Sequence, residues 1–101
     1  MQKIIKLNLI IIFTMVGCVG IPPVIEYNLA KTAIDSAKEN GAAQFSPGYL
    51  HKAHDQYRKG ISHYDEREYD DAYDNFYAAK KDAERSENKT RLMKYKSGES
   101  F

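Results

Sequence analysis

Apolar residues are distributed along this chain in two different ways. Residues 7 to 16 hold a nearly continuous apolar run, "LNLIIIFTMV", interrupted only by Asn8 and Thr14. From Val24 onward apolar positions instead recur at spacings of three and four among charged residues, the period of a helix with one buried face. No stretch alternates strictly, so no strand is expected. Leu29, Ala30, Ala33, Ile34 and Ala37 form the first stripe, which predicts a helix from about Val24 to Asn40, closed by a left-handed stop at Asn40-Gly41. The segment "GAAQFSPG" is the connection. Ser46 offers an N-cap with Pro47 at the first helical position, where a missing N–H costs nothing. The second helix then runs to about Tyr64 along Leu50, Ala53, Tyr57, Gly60 or Ile61, and Tyr64, and "DERE" makes the next turn.

The third helix, from about Tyr69 to Lys94, has the most regular stripe: Ala72, Phe76, Ala79 and Ala83. Small residues around one large ring let a neighbouring helix approach closely, with Phe76 as the knob. Acidic residues crowd the start of this helix (Asp65, Glu66, Glu68, Asp70, Asp71, Asp74) and basic ones its latter half (Lys80 to Lys96), the order that the helix dipole favours. Tyr69, Tyr73 and Tyr77, spaced four apart, lie about 50°, 90° and 130° from the centre of the stripe, so they turn progressively away from the core. Tyrosine pairs a rigid ring with a polar tip, which suits a surface that meets another protein. These three are the candidate interface. The expected architecture is all-α, a small three-helix domain comprising a tetratricopeptide-like hairpin plus one helix. Tyr69, Ala72, Phe76 and Ala79 carry the hairpin likeness, although Arg67 stands where that motif has a turn glycine and no second copy follows.

The apolar run at the N-terminus has a different meaning. It follows a short positive end, "MQKIIK", and Pro22 and Pro23 stop it before it reaches the roughly 20 residues of a membrane span. The order is that of a secretory signal peptide. It ends in "MVGC", which places the single cysteine, Cys18, after a small residue. "MVGC" resembles the lipobox of bacterial lipoproteins, with Met15 in place of the usual leucine. That resemblance implies cleavage before Cys18 and acylation of its sulfur, with palmitate-type chains holding the protein to the membrane. Two or more chains anchor stably where one is marginal. The expected organisation is residues 1–17 signal peptide, 18–23 lipidated tether, 24–95 helical domain and 96–101 flexible tail.

Composition narrows the function. The chain has 101 residues, 29% charged, and a formal charge of +1. Once Lys3 and Lys6 are assigned to the signal peptide, 13 basic residues face 14 acidic ones. A body so nearly neutral does not fit nucleic acid, whose binding rests on a basic face. No glycine-rich phosphate loop is present and the only thiol is committed to lipid, so neither catalytic residues nor a small-molecule substrate or cofactor is expected. His51 and His54 share a helix face, but His63 falls about half a turn away from them, so no metal site is expected.

The segment from "LAKTAIDSAKENGAAQFSPGYL" to "YDDAYDNFYAAKKDAE" resembles a family of small bacterial envelope lipoproteins known as domain of unknown function 4398. Ala33 and Ala37, Gly41 and Ala42, Ser46 and Pro47, Ala53 and Tyr57, and Tyr69 and Ala72 carry the likeness, over about residues 28 to 85. It implies an envelope-anchored helical domain and brings no activity with it. The expected function is therefore a lipoprotein, most naturally on the outer membrane facing the periplasm, that acts as a protein-interaction module. The alternative is a structural lipoprotein that self-associates and has no discrete ligand.

Overall fold

The computed structural model describes residues 20–98. The expected signal peptide, Cys18 and the end of the expected tail lie outside them. Among the described residues four helices follow in order: α1 (Val24–Glu39), α2 (Ala42–Phe45), α3 (Pro47–Asp65) and α4 (Tyr69–Lys96). The helix expected to close the domain runs two residues further than expected. The segment "GAAQFSPG" is not an irregular connection, because α2 makes one helical turn within it. Four residues are too few to show a helical period. Ala42 of this turn is fully buried.

α3 runs antiparallel to α1 and α4. Gly60, late in α3, lies against Phe76, early in α4, while the Ser86 hydroxyl donates to the Ser46 carbonyl at the start of α3 (3.0 Å). Tyr27 near the start of α1 also meets Phe76, and Ser36 near its end reaches Glu87, so α1 and α4 run side by side in the same direction. One end of the domain therefore gathers the starts of α1 and α4 and the end of α3. The other end holds α2.

The α4 stripe packs as expected: Ala72, Phe76, Ala79 and Ala83 are fully buried. It continues through Ser86 and Thr90, equally buried, whose polarity hides them from a search for apolar period. Phe76 sits edge-on to Tyr27, with centroids 5.4 Å apart at 88°, and 5.9 Å from the Tyr57 ring. A Cβ placed on Gly60 would come within 2.6 Å of two Phe76 ring carbons. Of the two candidates, Gly60 is thus the contact and Ile61 flanks it. In α1 the buried stripe is Ala30, Ile34 and Ala37. Leu29 does not belong to it and is 46% exposed, because it sits about 100° round the helix from Ala30. Ala79→Leu is expected to force extra volume into the α1–α4 contact and cost about 1–3 kcal/mol. A melting temperature equal to that of the parent would place Ala79 outside the core.

Three helix ends use one device. Gly41 (φ 94°) and Gly98 (φ 79°) end α1 and α4 in the left-handed region, as Arg67 (φ 62°) ends α3. After α3, Glu68 N–H donates to the His63 carbonyl (2.8 Å) and Arg67 N–H to the Tyr64 carbonyl (3.1 Å), the pair of bonds that closes a helix with a left-handed residue. An L-residue with a Cβ is strained there, by about 1 kcal/mol or more. Arg67→Gly is expected to raise stability by about 0.5–1 kcal/mol, the relieved strain outweighing the extra freedom of glycine in the unfolded chain. A lower melting temperature would mean that the Arg67 side chain contributes more than its backbone costs.

The expected Ser46 cap does not form. Ser46 occupies the position before α3, but its side chain makes no capping bond. The residue is 1% exposed, its carbonyl engages Ser86, and its hydroxyl has no partner. Packing against α4 has taken the place of capping.

Candidate interaction face

The three sequence-predicted tyrosines fall in two environments. Tyr69 is half-buried, with its ring 5.6 Å from Tyr64, at the edge of the core. Tyr73 and Tyr77 are 44% and 48% exposed. Their rings lie nearly parallel, 10° apart in plane with centroids at 6.4 Å, and the Lys81 ammonium stands 5.4 Å from the Tyr77 ring centre. Four-residue spacing on a straight helix produces this stack. The result is a flat aromatic ladder with a cation at its end, held by a helix whose opposite face is locked into the core.

Two grooves open at the end of the domain where α1 begins. One, about 340 Å³, is lined by Val24, Tyr27, Asn28, Ile61, Tyr64 and Asp65. The other, about 520 Å³, lies between α1 and α4, with Ile21, Ile25, Tyr69 and Tyr73 among its walls. Beneath them Tyr27, Tyr57 and Phe76 form an aromatic cluster. Burial there, reinforced by the Tyr27 hydroxyl, pushes the Tyr57 hydroxyl pKa up to about 12.

The charged residues of α4 pair largely along its own surface, Lys80 with Glu84, Arg85 with Asp82 and Arg91 with Glu87, contacts that contribute little each. Glu87 also reaches across the fold. Its carboxylate accepts from Asn40 Nδ2 (3.0 Å) and Ser36 Oγ (3.3 Å), tying the end of α1 to α4. Asn40 thus serves as more than a stop signal, a role that local sequence does not reveal.

The histidines divide as well. His51 Nε2 lies 3.3 Å from Asp55. Burial, then the nearby Lys38 and Arg58, lowers the His54 pKa. The turn after α3 brings His63 together with Glu66 and Glu68, their ligand atoms within 4.8 Å of one another. Glu66 is raised because its carboxyl shares a hydrogen bond with Glu68, and Glu68 is lowered by the same bond. Both glutamates are solvent-exposed. The left-handed Arg67 creates this grouping, so a reading of "DERE" as a simple turn misses it.

A family model for a domain of unknown function, DUF4398, matches residues 26–97. The chain belongs to the DUF4398 family. The DUF4398 match begins near the start of α1 and ends just past α4, so the family unit is the whole helical domain, including the polar end of the α4 stripe. The match adds no support for a tetratricopeptide identity of the α3–α4 pair. No curated protein and no solved structure matches the chain. No helix among the described residues is long and apolar enough to cross a membrane.

Proposed function

We propose that the protein is a bacterial envelope lipoprotein, held by acylated Cys18, whose helical domain docks a protein partner through the Tyr73–Tyr77 face. The observation that carries the docking half is the exposed stack of two tyrosines on a rigid helix. Tyrosine is enriched at the centres of protein interfaces, and a prestacked pair has little conformational freedom left to lose on binding. The lipobox-like "MVGC" supports the anchoring half, and the outer membrane, facing the periplasm, is its proposed site. Neither half requires an enzyme activity.

Affinity capture of the tagged, mature protein from detergent-solubilised envelopes tests the reading. One stoichiometric partner distinct from the bait is expected. Recovery of self-copies alone would replace the interaction module with a self-associating structural lipoprotein.

A further inference from the structure

We infer that the end of the domain formed by Ile21, Val24 and Ile25 rests in the headgroup layer of a zwitterionic bilayer. This rests on the lipoprotein reading, since it takes Cys18 as the point of lipid attachment. The three side chains are 91%, 50% and 70% exposed, and they follow one another at the point where the chain enters the fold. Ile21 and Ile25 share a groove with Tyr73.

Chain length fixes where this patch must lie. Three Cα steps of 3.8 Å separate Cys18 from Ile21, so the two are at most about 11 Å apart. The polar layer of each leaflet is roughly 5–8 Å deep. An acylated Cys18 therefore holds Ile21 at the membrane surface, and Pro22 and Pro23 leave little slack before α1. The residues brought to that surface are those an interface accepts: aliphatic side chains that enter it and Tyr69, which lines its polar edge. The stacked Tyr73 and Tyr77, beginning one turn or about 6 Å further along α4, are left facing the periplasm for a protein partner.

Charge selects the kind of surface. Glu26 and Asp70 line the same groove, which has no lysine or arginine among the described residues of its walls, and Asp71 and Asp74 are exposed on the same stretch of α4. An anionic lipid surface repels this rim. A second copy packed here by a two-fold axis would set the acidic rims of both copies against each other, which disfavours self-association through this end.

Nitroxide labels report the contact. Ile25→Cys, and Asn88→Cys as a site on the far half of α4, are introduced into the full protein, which is matured in cells, purified, labelled and reconstituted in phosphatidylcholine vesicles. The unsubstituted chain has Cys18 as its only cysteine, so it takes up no label when the thioether is in place. At Ile25→Cys, oxygen collisions are expected to exceed those of a water-soluble nickel chelate, with the order reversed at Asn88→Cys. Adding phosphatidylglycerol is expected to shrink the oxygen preference. An unlabelled parent with both sites equally open to nickel overturns the bilayer contact and leaves the anchor standing. Label uptake at Cys18 overturns both. Dipolar broadening between Ile25→Cys labels on separate chains overturns the contact in favour of a second copy.

Discussion

Phe76→Ala is expected to remove a large share of the domain's stability, about 3–5 kcal/mol. The ring is fully buried and touches both of the other long helices, through Tyr27 of α1 and Tyr57 and Gly60 of α3. A domain of this size has roughly 4–12 kcal/mol in all, and most of the other core residues are alanines that cannot swing in to fill the space. The companion change is Gly60→Ala. In an exposed helix it would add about 1 kcal/mol of propensity. Here the new methyl would sit 2.6 Å from the Phe76 ring, and the ring is wedged among other aromatics, so overpacking of about 1–3 kcal/mol is expected to win. Denaturant unfolding measures both. A Gly60→Ala variant more stable than the parent would show that the glycine does not set the α3–α4 spacing.

Cys18→Ala is expected to abolish acylation and to leave either an uncleaved precursor or a soluble protein. Each buried methylene of an acyl chain contributes about 0.8 kcal/mol, so two or more chains dominate any attachment that three exposed side chains supply. Fractionation combined with intact mass reads the result directly. A mature-length variant that still sediments with membranes would refute lipid anchoring through this residue.

Much of the fold was legible because its stripes are short and repetitive. Ala72, Phe76, Ala79 and Ala83 announce a close helix contact by spacing alone, and Asn40-Gly41 announces a helix end. What escaped follows from tertiary context. Ser86 and Thr90 extend the α4 stripe with polar side chains, so hydrophobic period ends before the packing does. Ser46 has the right residue type for a cap, but burial against α4 takes precedence. Leu29 is apolar yet exposed, since Ala30, with its smaller side chain, is what lets α1 approach α4. At the candidate face, angular position ordered the three tyrosines from half-buried to exposed. The stacking of Tyr73 on Tyr77 and the approach of Lys81 needed the structure. The pairing of Glu66 and Glu68 beside His63 depends on a left-handed arginine that no composition rule anticipates.

The most direct test of the central claim is the double variant Tyr73→Ser with Tyr77→Ser, carried through partner capture and circular dichroism in parallel. Both side chains are about half exposed and neither is part of the buried core, so helicity is expected to hold while capture of the partner is lost. Undiminished capture by a fully helical variant would contradict the assignment of this face as the docking surface.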